Sequence, residues 1–463
     1  MKIKLAVIGG GSVNWMRGLM RDVYGLQNVE GGEIRLVDPN VSHVTSVKNM
    51  LLKFNECSAD KRFDVSIVED RKEALRGCDF VLTTFSPGAL DAFHNDLEIP
   101  IKYGVRLPVS MTCGISGASA SLRTVPVAYE LMQDMEEVCP GAVLLNVTNP
   151  MTAVTKAFNL PAKTVKVYGI CHEIFALSDL LHKILGIERP ADMTNNQYLY
   201  EYLPQIGFDY TVAGINHYIW LTDAKRNGED MLKKIRRFAA ENDHLDPEAI
   251  SRQATNRYSN NGQAKLALCR QFGYLPIPGD RHLIEFMSSL CNNQNGFGMD
   301  YGVMKTTVDS RRLDKVLQQC EIDRIASGEV PVSFEGSGED IAAIMQAYLD
   351  KTELTTIGNC PNIGQISNLP MGAIVETKIK KEIDGSITPI SAGALPRPIH
   401  QICYLHTAIN EMVVEAALKG DRNLFVEAMS IDPSTGTMDF QKIPQLCDDL
   451  LEANRQWLPR FFD

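Results

Sequence analysis

Apolar residues in the first 190 positions come in short runs separated by segments of helical period. Runs over residues 4–8, 34–37, 64–68, 79–84, 142–147 and 164–168 are too short for buried helices, and several end in turn-forming residues, which predicts strands. Between the first two, Trp15, Met16, Leu19, Met20 and Val23 recur at helical spacing. Residues 70–78, 122–139 and 174–185 also read as helices. Regular alternation of strand and helix predicts a parallel sheet with right-handed crossovers and helices on both faces. The first 190 residues therefore read as a Rossmann-type doubly wound α/β domain. The pattern then changes. A long apolar run over 206–219, a strand over 373–377, helices over 313–327, 340–349 and 400–417, and a polar helical tail from 432 predict a mixed α+β domain over 191–463. That second domain is expected to carry substrate contacts and an oligomer interface, with Trp457 and Phe461 docking the tail.

Length and composition bound the reading. A chain of 463 residues is too long for one ordinary domain, and 44% hydrophobic with 22% charged residues is ordinary for a soluble globular protein. The net charge of −11 argues against a nucleic-acid partner, so an anionic substrate needs a local cluster of Arg, Lys or His. There is no signal peptide pattern and no membrane-spanning run. Eleven cysteines without paired spacing predict reduced thiols and a cytoplasmic location.

Chemistry concentrates at the predicted strand ends. The first strand runs into Gly9, Gly10, Gly11 and Ser12, and the second ends at Asp38. Glycines let a backbone approach a pyrophosphate at a helix N-terminus, and an acid at the second strand end suits ribose hydroxyls, favouring NAD over NADP. The glycine spacing departs from GxGxxG, so a tight turn in another α/β fold is the competing reading. Ser86 and Pro87 follow the fourth strand. Asn146 and Asn149 end the fifth, Asn149 doubling as a helix-start signal before Pro150. The sixth strand leads to Cys171, His172 and Glu173, a thiol, an imidazole and a carboxylate at a helix start, where a thiol's pKa is lowered. Asn216 and His217 lie in the apolar run over 206–219. A satisfied core histidine competes there with a metal ligand, since Cys and His together suit a divalent ion. A proline-rich loop then presents Tyr274 and Gly279-Asp280-Arg281-His282, either a salt-bridge loop or a rigid carrier of function.

These pieces together resemble glycoside hydrolase family 4, the NAD- and metal-dependent glycosidases. The matching residues are Ile8-Gly9-Gly10-Gly11-Ser12, Asn146-Val147-Thr148-Asn149-Pro150-Met151, Cys171-His172-Glu173, Gly214-Ile215-Asn216-His217 and Gly279-Asp280-Arg281-His282. Cys-His-Glu, the Asp280 loop, Asn368-Leu369-Pro370 and Gly393-Ala394-Leu395-Pro396 are most similar to the α-galacturonidase branch. The resemblance implies hydrolysis of α-linked uronosides by NAD-dependent oxidation at C3, proton removal at C2, elimination and water addition, an exception to the two-carboxylate scheme. It implies NAD and Mn2+ or another divalent metal, with Cys171 and His217 as ligands. Gly9, Gly10, Gly11, Ser12, Asp38, Ser86, Pro87 and Asn146 are then the cofactor residues. His172 is the candidate acid and Asp280 the candidate C2 base, with Tyr274 as its alternative. Asn149, Glu173, Asn216, Arg281 and His282 face the sugar, Arg281 and His282 being placed to hold a carboxylate. A homodimer or homotetramer is expected.

The chain also departs from the family pattern. Met111 stands where relatives carry an acid, Gly114-Ile115-Ser116-Gly117 where they have Gly-Pro-Gly-Gly, and Ala120 near a common Arg. The departures leave open an α-glucuronidase, α-glucosidase or α-galactosidase, or a non-catalytic NAD-binding protein. A lactate- or malate-type dehydrogenase shares the first domain but needs no metal.

Overall fold

The computed structural model describes residues 1–462 except 254, 255, 257 and 258. Six strands form a parallel sheet: β1 (Lys2–Ile8), β2 (Gly31–Val37), β3 (Arg62–Ile67), β4 (Phe80–Thr83), β5 (Val143–Asn146) and β6 (Lys166–Gly169). Their spatial order is 3-2-1-4-5-6, the doubly wound dinucleotide-binding order. β1 shows why both faces need covering. Its alternate residues Leu5 and Val7 join one core with the helices Met16–Gly25 and Val41–Cys57, while Ala6 and Ile8 join another with the helix Gly114–Val138.

The second half adds the hairpin β7 (Phe208–Ile215) and β8 (Tyr218–Arg226), the two-residue strands β9 (Glu229–Asp230) and β10 (Leu275–Pro276), the long strands β11 (Leu354–Pro361) and β12 (Ile374–Lys381), and the short β13 (Ile387–Pro389). These strands extend the same sheet. β11 pairs antiparallel with β6 through Asn359 opposite Gly169, then β12 with β11, and β7 with β12, giving one mixed sheet of 13 strands. The core is shared too. The helices Arg397–Lys419, Arg422–Ser430 and Ile443–Ala453 pack Ile409, Phe425 and Leu446 into the core beneath β1, β4 and β5. The tail docks as expected, with Trp457 against Gly88 and Phe461 against that same core.

Three expectations are corrected. The run over 206–219 is two strands rather than one, because Asn216 and His217 form a hairpin tip with Ile215 opposite Tyr218. The helix expected from 122 begins at Gly114 and carries Pro126 within it. The helix expected over 174–185 opens as a tight 3-10 turn, His172–Phe175, before the α-helix Ala176–Leu185. No helix among the described residues is long and apolar enough to cross a membrane.

Candidate active site

The glycine turn is built by close packing of backbone on backbone. Gly9 has φ +92°, and a Cβ there would sit 2.5 Å from the Thr84 carbonyl oxygen, so only glycine fits where β1 passes β4. The Gly9 and Gly10 amides donate to the Val37 carbonyl at 2.9 and 3.0 Å, binding the turn to the end of β2. Asp38 follows, and its carboxylate accepts the Gly11 amide at 2.9 Å and the Asn40 amide at 2.8 Å. The expected ribose acid is therefore fixed in place at the lip of the turn. Ser12 accepts the Met16 amide at 2.9 Å and starts the helix Met16–Gly25. A cradle that a Cβ would fill, an immobilised acid and a helix start fit a dinucleotide.

The expected cofactor residues further along divide. Ser86 is exposed at the end of β4, and Pro87 offers its carbonyl to Arg123 Nε at 2.9 Å. Arg123 is itself buried and paired with Asp96. Asn146 is fully buried. Its Oδ1 accepts Thr83 Oγ1 at 2.7 Å and the Thr148 amide at 3.0 Å, which shapes the turn that presents Asn149. Asn149 is half-buried, joined to Pro150 by a cis peptide bond, and its Oδ1 accepts the Met151 amide at 3.3 Å.

Cys171, His172 and Glu173 lie just beyond β6 and meet the hairpin tip and the 279–282 loop. Glu173 Oε2 accepts the Gly279 amide at 2.7 Å, and its Oε1 lies 3.7 Å from His282 Nε2. The His282 and His217 rings are 4.0 Å apart. His217 sits at the tip with φ +60°, an uncommon conformation for a non-glycine residue, and its Nδ1 shares a 2.6 Å hydrogen bond with Thr112 Oγ1. His172 Nδ1 lies 3.1 Å from Glu339 Oε1, at ion-pair distance. Cys171, His172, Glu173, Asn216, His217, Gly279 and His282 are thus one cluster.

Electrostatics in this cluster follow burial and a surplus of carboxylates. Burial, with Glu376 and Glu173 nearby, pushes the Cys171 thiol well above its ordinary range. The expected lowering by a helix start is overturned, because only a short 3-10 turn begins there and two acids face the sulfur. Burial lowers His217 to about 4 and takes His282 well below the usual range. Burial opposes charge on Glu173, but the surrounding histidines and the Gly279 amide outweigh it and hold Glu173 down at about 2. His172 rises to about 9, first through its hydrogen bond to Glu339.

Asp280 and Arg281 lie in the short helix Asp280–Leu283. Asp280 is fully buried. Its Oδ1 accepts the Lys265 amide at 3.0 Å at the start of the helix Gln263–Phe272, while Oδ2 has no hydrogen-bond partner. Burial raises its pKa, and the Lys265 ammonium opposes the rise. Arg281 donates to Thr306 Oγ1. Tyr274 is half-buried, packed against apolar residues of both neighbouring cores, and carries the Arg236 guanidinium 5.7 Å above its ring. No described contact joins Tyr274 to the Cys171 cluster.

Three site residues, Glu376, Thr112 and Glu339, escape a reading of the sequence, whereas a fourth, Glu285, stands visibly a turn after the Asp280 loop. Glu376, in β12 opposite Gly214 and Asn359, is fully buried beside Cys171 and Glu173. Its Oε1 accepts Asn359 Nδ2 at 3.4 Å and its Oε2 has no partner. A lone acid inside an apolar strand was its only signal. Thr112 orients His217, and Glu339 holds His172. Glu285 accepts the Val109 and Ser110 amides at 2.6 and 2.8 Å, fixing the segment that carries Thr112.

The buried, unpartnered atoms test the expected metal. By strict hydrogen-bond geometry neither Nδ2 nor Oδ1 of Asn216 finds a partner among the described residues, although the amide lies beside Cys171 and Glu376, and the same holds for His282 Nδ1. Among the described residues no three His, Cys, Asp or Glu side chains stand close enough to hold an ion by themselves. A neutral imidazole, a thiol and an excess of carboxylate around orphaned polar atoms nevertheless fit a divalent cation, whose charge answers the acids and stabilises a thiolate.

A model of family 4 glycosyl hydrolases matches residues 4–187, and one of their C-terminal domain matches 212–435. The chain belongs to glycoside hydrolase family 4. It is 30% identical over 469 aligned residues to an α-galacturonidase of Lachnoclostridium phytofermentans, with 99% of this chain and 97% of the relative covered. It is 30% identical to an α-galacturonidase of Bacillus subtilis, with 98% of each covered. The crystal structure of Bacillus subtilis lplD superposes with a TM-score of 0.86 at 29% identity, over 97% of this chain and all of the other. A 6-phospho-α-glucosidase from gut microorganisms, solved with NAD and Mn2+, shares the fold at a TM-score of 0.76, 19% identity and 99% coverage of each chain. Family 4 membership makes the chain a glycoside hydrolase and removes the hydroxy-acid dehydrogenase reading.

Proposed function

We propose that the chain hydrolyses α-linked uronosides, α-galacturonides foremost, using NAD and a divalent ion such as Mn2+. The observation that carries this reading is its end-to-end 30% identity with two α-galacturonidases. When bound, the dinucleotide accepts and returns a C3 hydride, and the ion polarises the C2 and C3 oxygens so that the C2 proton becomes acidic.

The chain's own residues divide the remaining work. Gly9, Gly10, Gly11, Ser12 and Asp38 hold the dinucleotide, with Ser86, Pro87 and the Asn146 turn around its far end. Cys171 and His217 hold the ion. The Thr112 hydroxyl engages His217 Nδ1, and in the tautomer with Nδ1–H it accepts and leaves Nε2 to ligate. Asp280 takes the C2 proton. Its unpartnered Oδ2 and raised pKa support that role over Tyr274, which is occupied with Arg236. His172 protonates the departing oxygen. Asn149, Glu173 and Asn216 position the sugar, and Arg281 with His282 receives the C6 carboxylate. In this reading the NAD domain spans 1–190 and the substrate and oligomerisation domain 191–463. Free cysteines support a reducing cytoplasm, and sedimentation measures the expected homodimer or homotetramer.

The deciding experiment compares 4-nitrophenyl α-galacturonide, α-glucuronide, α-galactoside and α-glucoside with and without NAD+ and Mn2+. The expected outcome is cleavage of α-galacturonide that requires both additives, slowed by deuterium at C2 or C3. Preference for α-glucuronide or a neutral sugar reassigns the substrate. Failure on all four favours a non-catalytic NAD-binding protein.

A further inference from the structure

His172 and Glu339 come from segments far apart in the chain that lead out of one strand and towards its neighbour, β6 and β11. His172 follows β6. Glu339 lies in the segment 328–340 that links the helices Val308–Ser327 and Ile341–Asp350. That segment is strapped across the helix that starts at the glycine turn. Asp22 of this helix accepts the Ser337 amide at 2.8 Å and the Ser337 hydroxyl as well. A Cβ on Gly336 would lie 2.9 Å from the Asp22 carboxylate, so the strap passes with no room to spare. Ser337 Oγ in turn accepts the Glu339 amide at 3.0 Å, and Phe334 stacks on Tyr24. At the end of the strap the Glu339 side chain is only 8% exposed, whereas the His172 ring it meets is 54% exposed. A buried carboxylate held on a braced loop thus faces an open imidazole at 3.1 Å. The centre of that ring lies 6.1 Å from the centre of the Trp15 ring, Trp15 being the residue preceding the glycine-turn helix.

We propose that Glu339 is the positioning residue for His172: it fixes the Nδ1–H tautomer and aims Nε2 into the cleft between the glycine turn and the Cys171 cluster. This rests on the reading of His172 as the leaving-group acid. As the C1–O bond breaks, its electron pair stays on the departing oxygen, which takes the Nε2 proton. His172 Nδ1–H stays on Glu339 throughout. When water adds at C1, its hydroxyl joins the carbon and its proton returns to Nε2. Glu339 changes neither its charge nor its protons, so its part is orientation, as for the carboxylate behind a catalytic histidine in serine hydrolases.

The test has two arms. The first follows the leaving group. Methyl α-galacturonide, whose alkoxide needs a proton, is compared with 4-nitrophenyl α-galacturonide, whose phenolate hardly does. Glu339→Gln is expected to slow the methyl glycoside at least about 30-fold and the nitrophenyl glycoside by no more than about threefold, within the reach of general acid catalysis. Glu339→Asp should restore part of the difference. Equal losses on both substrates, or no loss, overturn the proposal. The second arm does not depend on turnover. Histidine-ring 15N spectra of the protein at a pH above 9, where the His172 ring is neutral, with the His172 signal assigned by its absence in His172→Gln, should show protonated Nδ1 in the wild type and a mixture of tautomers in Glu339→Gln. An unchanged tautomer overturns the positioning role. If the wild type cleaves neither glycoside, the acid role falls with the proposed function, and the ring spectra alone decide whether Glu339 orients His172.

Discussion

Glu285→Gln probes the buried framework behind the site. Glu285 is 2% exposed, and burial lifts its carboxyl from 4.5 to about 7, although the Ser110 and Val109 amides, Arg281 and Arg311 all favour the charged form. A carboxyl whose folded pKa lies above its unfolded value stabilises the fold fully below the unfolded value. That stability is lost as pH rises towards and through the folded one. The loss therefore runs from about pH 4.5 to about pH 7 and is complete above it. At 1.36 kcal/mol per pKa unit the full penalty is roughly 3 kcal/mol, of which roughly 2–3 kcal/mol falls between pH 5 and pH 8. Unfolding entropy near 2.1 cal/mol/K per residue gives about 1 kcal/mol/K for a 463-residue chain. The expected signal is thus about 2–3 °C in Tm.

Gln keeps the Oε1 acceptor for both amides and, like a protonated carboxyl, offers a donor on the other atom. It removes only the ionisation. Calorimetry of wild type and Glu285→Gln across pH 5 to 8 should show the variant gaining about 2–3 °C on the wild type as pH rises. A Tm difference that stays constant over this range refutes the reasoning, because the penalty would then lie outside Glu285. Glu285→Ala separates anchoring from titration. It strands two buried amides at about 1–3 kcal/mol each, so its loss should appear at every pH.

Other perturbations address the cofactors. Cys171→Ser should abolish Mn2+-dependent turnover and leave NAD+ affinity intact by calorimetric titration; retained activity removes Cys171 as a ligand. Thr112→Val deletes the hydrogen bond to His217 Nδ1 and should weaken Mn2+ binding about 10–100-fold, and unchanged Mn2+ titration would detach Thr112 from the ion. Asp38→Ala should cost NAD+ binding roughly 1.5–3 kcal/mol, at least about tenfold in Kd, with Mn2+ affinity unaltered; equal NAD+ affinity would refute the ribose role.

The parts of this protein that were legible in sequence are those written in local pattern. The strand, glycine turn and helix at residues 2–25 declare themselves because each step uses neighbouring residues, and the doubly wound order follows from alternation. His217 was harder to place. An Asn-His tip lacks the glycine that usually marks a two-residue hairpin, so an apolar run with a turn inside it read as one strand. Glu376 and Glu339 lie beyond any local rule. In β12, Val375, Glu376 and Thr377 are all buried because the strand is central to the sheet, so alternation could not show which way the acid faces.

The same geometry explains why the cluster needs both halves of the chain. Cys171 comes from the end of β6, and β11 and β12 extend the sheet beside it, bringing Asn359 and Glu376 under the thiol. The hairpin of β7 and β8 is paired to β12 and brings His217 over the same place. An ion between Cys171 and His217 would therefore tie the end of β6 to a hairpin three strands away. Its charge would also favour ionisation of Glu376, whose carboxyl burial raises to about 8 beside Glu173 and the thiol. Holding those acids in place without an ion costs the fold stability, and binding the ion recovers it. Mn2+ should accordingly raise the Tm of wild type more than that of Glu376→Gln, in which one of the acids has already been neutralised. Equal Mn2+-induced shifts in the two proteins would show that Glu376 does not sense the ion.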